Sequence, residues 1–438
     1  VCFIIGASIN LRILRRHCIG KLFSYMDSLT QIVLGAACGE AVAGRKIGNR
    51  AMVWGAVGGT IPDLDVLAGL FTDEITGTSF HRGFMHSILF SVLAPWVLAW
   101  MVRWFYDEQI HRRRGYKGVL MAIWLLFYLG AAVGINFIPV ALGEGLRWQI
   151  LVPTLVLGAL FAYRLWRDYW KKELSPVDTD YKTWVAVFFW SIATHPLLDC
   201  FTSWGTQVFQ PFNDLRVQWC TVSVVDPIAT LPFLAFLILA TRFRRENSKR
   251  ALINWIGIAW FCGYILVYTL WHKWTAVNAF EASLKEQGIH YSRIYTNPTI
   301  FNNIVWAGTA EGDTAYYFAL YGFNDRDRKI KQFSVIPKNH HLMNHIPADD
   351  RAARFLRWFS DGYYNVLPYN GDTLQVNDLR FGIMGETLHG NNYVFPFLLF
   401  KNEQGEWDVK QNNRNQEHLE ENKQSFAELW HRVTVGKD

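Results

Sequence analysis

The sequence predicts a mainly α fold, a polytopic membrane helical bundle with a C-terminal soluble α+β domain. Three observations carry that expectation. Of 438 residues, 51% are hydrophobic and only 18% are charged, whereas a soluble domain carries about 25% charge. Nearly all long apolar runs fall within 27–272. From 275 onward the pattern becomes that of a water-soluble chain, so the mean hydropathy of +0.07 averages two unlike halves. The predicted division is a membrane part over 26–272 and an extracytoplasmic soluble part over 273–438. The six cysteines are scattered without a C-x-x-C pair, which supports neither a disulfide framework nor a zinc ribbon.

Residues 1–25 are read separately. The chain begins with Val1, and its first methionine is Met26. Arg12, Arg15, Arg16, His17 and Lys21 follow the short apolar stretch, the reverse of the order in a signal peptide. The expectation is that 1–25 is a non-native extension and that the native chain starts at Met26.

A span needs about 20 apolar residues. The runs over 87–105, 119–140, 149–166, 228–241 and 251–271 approach or meet that length. Three further segments, 29–43, 51–62 and 184–195, are apolar but short. The first two are rich in Gly and Ala, which suits helices packed closely inside a bundle. They are equally readable as core helices that enter the bilayer only in part.

Four basic clusters set direction. Arg45, Lys46 and Arg50 form the first, and His111, Arg112, Arg113, Arg114 and Lys117 the second. Arg164, Arg167, Lys171 and Lys172 form the third, and Arg242, Arg244, Arg245, Lys249 and Arg250 the fourth. The net charge of +6 comes mostly from them, so it reads as a topology signal, and no nucleic-acid partner is expected. Placing all four in the cytoplasm gives a zigzag of eight crossings if the short segments count. Residues 62–86, 141–148, 196–227 and all after 272 then lie on the outer side, the periplasm in a bacterium.

Three outer-side segments carry chemistry: Ile61-Pro62-Asp63-Leu64-Asp65, His81-Arg82-Gly83-Phe84-Met85-His86-Ser87, and Thr194-His195-Pro196-Leu197-Leu198-Asp199. The direction came from Lys and Arg alone, yet it puts all three on one side. Imidazole nitrogen combined with carboxylate oxygen suits a divalent metal, zinc first and manganese as the alternative. His195 and Asp199 are four apart and share a helix face. His81 and His86 are five apart and need a turn or a helix start between them. Arg82 is expected to neutralise a phosphate or to pair with Asp63 or Asp65. Each piece has a bland alternative: Asp63 as a turn cap, a lone His as an interfacial side chain. Ionisable groups set at apolar helix ends are costly, which favours a functional cluster.

The set PDLD, HRGFMHS and THPLLDCFTSWGTQVFQPF resembles the membrane-bound metal-dependent hydrolases, the YdjM-like family of bacterial inner-membrane proteins, over about Met26 to Pro227. The resemblance implies that Asp63, Asp65, His81, His86, His195 and Asp199 belong to a metal site. Asp65 and Arg82 are then the candidate catalytic residues. A distant similarity of the family to zinc-dependent phospholipase C makes hydrolysis of a phosphoester or related bond, in a lipid or envelope substrate, the implied activity. Shorter members have a His in the first helix where this chain has Gln31, and Glu40 lies further along that helix. The competing function is a non-catalytic scaffold, or an ion- or proton-coupled transporter using the same His/Asp cluster.

Two further segments and the soluble part complete the reading. Trp204-Gly205-Thr206-Gln207 with Pro211-Phe212 reads as an aromatic turn that anchors at the interface or shapes a pocket. Asp226-Pro227 reads as an N-cap followed by proline at N1. The soluble part is expected to hold a helix over 275–290 and a hairpin over 301–323 about Glu311-Gly312-Asp313. An amphipathic helix over 349–360 and strands in 374–384 and 393–400 follow. His340, His341 and His345 read as a polar loop. The tail from 402 reads as frayed or as an exposed helix.

Overall fold

The structure is a computed structural model that describes residues 29–141, 145, 147–174, 176–386, 388, 392–412 and 419–437. The expectation for 1–25 lies outside the described residues. The helices are α1 (29–47), α2 (Asn49–Thr60), α3 (Glu74–Phe80), α4 (Ile88–Asp107), α5 (Arg114–Ala141), α6 (Trp148–Leu165), α7 (Tyr181–Asp199), α8 (Pro227–Ala240), α9 (Ser248–Gly263), α10 (Thr269–Glu286), α11 (Arg351–Phe359) and α12 (Leu419–Thr434). A 3-10 turn over Pro62–Leu70 follows α2, and a shorter one over Phe84–His86 leads into α4.

Four helical stretches are long and apolar enough to cross a membrane: Ile88–Asp107, Arg114–Phe137, Trp148–Trp170 and Ser248–Glu286. The last joins α9 and α10 through a π turn over Tyr264–Tyr268. None of the apolar window in α5 or in α6 is buried within the protein. A helix that is apolar all round and lacks protein cover requires apolar surroundings, here lipid. The run over 228–241 forms α8, an apolar helix of 14 residues that is shorter than these four.

The chain divides into two compact units. The smaller, Trp96–Val185, comprises the end of α4, α5, α6 and the start of α7. Within it Tyr106 stacks on Trp184 at 5.5 Å, and Lys117 Nζ donates to Lys172 O at 2.7 Å.

The larger unit holds everything else. There α1 and α2 pack backbone against backbone. A Cβ added at Gly35 would land on the Gly55 carbonyl oxygen, and one at Gly59 on that of Gln31. Small residues four apart on both helices are what allow this approach. Glu40 of α1 accepts two bonds from Arg250 of α9, both at 2.6 Å, so both charges are buried as a pair. An apolar core formed by Val33, Ala37, Phe233, Phe261 and Tyr264 joins α1, α8 and α9. Asp226 caps α8 as expected, its Oδ1 accepting from Ile228 N at 3.0 Å, while Tyr264 Oη donates to its Oδ2 at 2.7 Å.

The C-terminal domain contains two antiparallel meanders, ordered β1 (Arg293–Pro298), β2 (Val305–Glu311), β3 (Ala315–Gly322), β4 (Ser334–Pro337) and β5 (Tyr364–Asn370), β6 (Thr373–Asp378), β7 (Pro396–Lys401), β8 (Trp407–Gln411). Registers are set by pairs such as Thr309 opposite Phe318 and Val376 opposite Phe397. The β2–β3 hairpin, α11 and the α10 helix match the sequence reading. Strands β1, β4, β5 and β8 are additional to it. Of the charged tail, 407–411 forms β8 and 419–434 forms α12. His340 lies in a short 3-10 turn and hydrogen-bonds the Tyr364 carbonyl at 2.8 Å.

Candidate metal centre

Chain segments distant in sequence meet at one buried cluster in the larger unit. Pro62, at the first position of its turn, presets the backbone there and brings in Asp63 and Asp65. Arg82 sits in the left-handed region at φ 56°, a conformation that costs a non-glycine residue energy unless its surroundings hold it. Its backbone N–H donates to Asp65 Oδ2 at 2.8 Å and its carbonyl accepts from Gln207 N at 3.0 Å. That reversal provides the turn required between His81 and His86. Helix α7 runs through Pro196 to Asp199, so His195 and Asp199 share one face.

Four side-chain atoms converge. His86 Nε2 and His195 Nε2 lie 3.1 Å apart. Asp63 Oδ1 is 3.6 Å from the first and 3.3 Å from the second. Asp199 Oδ2 is 3.2 Å and 3.5 Å from the same two atoms. Donor atoms of Asp63, His86 and His195 all lie within 4.8 Å of one another. Ligands about 2.0–2.1 Å from a tetrahedral zinc ion are about 3.3 Å apart, which is the spacing found here.

A surrounding layer fixes these atoms. Asp65 Oδ2 lies 3.0 Å from His86 Nδ1, and His81 Nδ1 donates to Asp65 Oδ1 at 2.8 Å. His195 Nδ1 donates to the Gly59 carbonyl at 2.6 Å. With His195 Nδ1 hydrogen-bonded and His86 Nδ1 set beside the Asp65 carboxylate, both Nε2 atoms face the same point, an arrangement typical of histidines that hold metals. Gln31 Nε2 donates to Asp199 Oδ1 at 2.9 Å. Asp199 is fully buried, and its Oδ2 makes no well-formed hydrogen bond.

The charges leave a place that a cation or protons can fill. With neutral histidines, Asp63, Asp65 and Asp199 carry three negative charges against the single guanidinium of Arg82. Two protons or one dication would neutralise the remainder. Without an ion the histidines take that role. Burial alone pushes His86 down, but hydrogen bonding of its ring to Asp199, Asp63 and Asp65 outweighs it and holds its pKa well above 6.5. Burial likewise raises Asp63 and Asp65. Hydrogen bonds from His195 and His86 to Asp63, and from His81 and His86 to Asp65, overcome it and hold both carboxyls below the usual range.

All six residues singled out from the sequence lie in this cluster, in two layers. Asp63, His86, His195 and Asp199 aim at the centre; Asp65 and His81 stand behind it. Arg82 adds a contact that the sequence reading did not include. Its guanidinium reaches α7 and the turn after it: Nε lies 3.4 Å from Asp199 Oδ2, and Nη1 donates to Thr202 Oγ1 at 2.6 Å. The turn at residue 82 gives Asp65 the backbone N–H and swings the side chain toward α7. Sequence reasoning missed Thr202 and the Gly59 carbonyl as parts of the cluster. Trp204 packs its ring against His81 at 5.7 Å and against Phe359 and Phe395 of the C-terminal domain at 5.1 and 5.5 Å.

Comparison with the curated proteins and with the solved structures finds no match. The family model described as YdjM inner membrane protein matches residues 26–137 and 150–275, more than half of the chain and every residue of the cluster. The chain therefore belongs to the YdjM inner membrane protein family.

Proposed function

We propose that the protein is a membrane-bound metal-dependent hydrolase acting on a phosphoester or related bond of a lipid or envelope substrate. The observation that carries this is the pair of Nε2 atoms 3.1 Å apart with their Nδ1 atoms engaged elsewhere. Two nitrogens at that distance repel unless a proton or a metal cation lies between them, and the two aspartates beside them favour the dication. Asp63, His86, His195 and Asp199 would hold the ion, zinc before manganese for a two-nitrogen, two-oxygen set. A divalent cation bound there supplies Lewis acidity and brings hydroxide within reach at about pH 7.

The chain's own residues do the rest. Asp65 is a positioning residue that orients His86 and His81 together. Gln31, donating to Asp199 Oδ1, leaves Oδ2 for the centre, so it supports the site from the place where shorter relatives carry a histidine. Arg82 balances Asp199 and adds positive charge for a developing anion. His81, 21% exposed along its side chain, stands at the rim, where its Nε2 can pass a proton. The site and the C-terminal domain are assigned to the periplasmic side by the basic clusters.

The transporter alternative needs a polar path to the cytoplasmic helix ends. Glu40, the acidic group nearest that end of α1, is engaged by Arg250 on both oxygens, which disfavours a relay. The test is metal analysis of detergent-purified full-length protein beside His86→Ala and His195→Ala, with phosphodiester hydrolysis assayed in parallel. Near-stoichiometric metal in the wild type and its loss in both variants is expected. A metal content identical in all three would overturn the reading.

A further inference from the structure

The cluster lies beside apolar surface that water would disfavour. The turn that supplies Asp63 and Asp65 buries only Pro62 and Asp65, while Leu64, Leu67, Leu70 and Phe71 are exposed, Phe71 at 87%. A second apolar edge leaves the cluster on the other chain segment. Ile88 N, at the first residue of the α4 span, donates to Val208 O at 2.9 Å, and Phe209 and Phe212 follow, Phe212 at 83% exposure. Soluble surfaces rarely group exposed apolar side chains in this way.

Continuity with the spans says what covers them. His86 precedes the α4 span by two residues, so the cluster sits where a helix enters the bilayer. The Asp63 turn begins at α2, whose Val53 and Val57 are exposed and apolar. It ends at Asp73, which pairs with Arg351 of the C-terminal domain. Within about ten residues the chain passes from apolar to aqueous surroundings, and Leu67–Phe71 fill the step. Aromatic and aliphatic side chains at such a level insert at headgroup depth.

We propose that these two edges dip into the outer leaflet and that the substrate is a membrane lipid whose scissile bond lies at headgroup depth, drawn sideways from the bilayer. This rests on the metal-centre reading and narrows its substrate class from lipid or envelope material to lipid. A water-soluble substrate would reach the cluster without needing either edge.

The test uses full-length protein in mixed phosphatidylethanolamine–phosphatidylglycerol vesicles. The photoreactive residue benzoylphenylalanine is placed at Phe71, at Phe212 or, as a control, at the exposed Val335 of the C-terminal domain. Lipid adducts at positions 71 and 212 but not at 335 are expected; their absence at 71 and 212 overturns the proposal. The double variant Phe71→Ser/Phe212→Ser should cut vesicle lipid at least about tenfold more slowly, with turnover of bis-p-nitrophenyl phosphate and metal content unchanged. Equal effects on both substrates also overturn it. Asp63→Asn separates the two readings. If it keeps its lipid adducts and its full metal, the metal assignment fails while the membrane contact stands.

Discussion

Asp65 is the residue on which the cluster most depends without reaching its centre. One carboxylate receives the Arg82 backbone N–H and the His81 ring and lies 3.0 Å from His86 Nδ1. Asp65→Asn keeps the size but removes the charge and one acceptor, so His86 loses its preferred tautomer. Loss of such an outer partner lowers metal affinity by about 10–100-fold, and calorimetric titration of full-length protein should show a drop of that size with the fold intact. The pH dependence follows from His86. Its pKa in the ion-free protein is raised, so near neutral pH its ring carries a proton that an incoming ion must displace. Metal affinity should therefore fall as pH falls, and binding should release protons, seen as different apparent enthalpies in buffers of unlike ionisation heat. Stability of the ion-free protein runs the other way. A raised histidine contributes fully below its unfolded value of about 6.5 and loses that contribution as pH rises through the folded value. A pH-independent affinity would exclude His86 as a ligand.

At the scale of elements, the close crossing of α1 and α2 carries the site. It sets the Gly59 carbonyl against His195 and Gln31 against Asp199. A Cβ at Gly55 would strike the Gly35 carbonyl oxygen, so Gly55→Val must push the helices apart. Overpacking of this kind costs about 1–3 kcal/mol. Both a lower melting temperature in detergent and reduced metal retention are expected, whereas Gly115→Ala, with open space around its Cβ, should change neither. The glycine-rich composition announced close packing, and the Asp, His and Arg residue types announced the cluster. The partners did not announce themselves. A backbone carbonyl such as that of Gly59 has no residue signature, and Thr202 is one hydroxyl among many. That Arg82 reaches Asp199 and Thr202 depends on a left-handed backbone angle that residue types do not encode. The unpredicted strands are weak signals for physical reasons: β4 and β8 have four and five residues, and β5 contains Pro368.

At the scale of the molecule, the cluster constrains how the chain threads the bilayer. His86 precedes α4, whereas His195 and Asp199 end α7, and all three share one site. Between them lie α4, α5 and α6, each long enough to cross. If all three cross, His195 returns to the side of His86 only when α7 crosses as well. The same parity holds further on. Trp204, just after α7, packs on Phe359, so if the α9–α10 rod crosses, α8 must cross with it, although α8 has only 14 residues. At about 1.5 Å per residue it reaches about 21 Å against a hydrocarbon core of about 30 Å, which requires local thinning or polar ends that reach outward. The basic clusters then orient the whole. Arg250 pairs with Glu40, and in the orientation proposed above Arg242, Arg244, Arg245 and Lys249 place the loop between α8 and α9 in the cytoplasm. Alkaline phosphatase fused after Asp438 should therefore be active in bacterial cells, and the same enzyme fused within the loop between α8 and α9 should be inactive. The reverse pattern would invert the orientation while leaving the shared side of cluster and C-terminal domain intact, since that rests on contacts and not on charge.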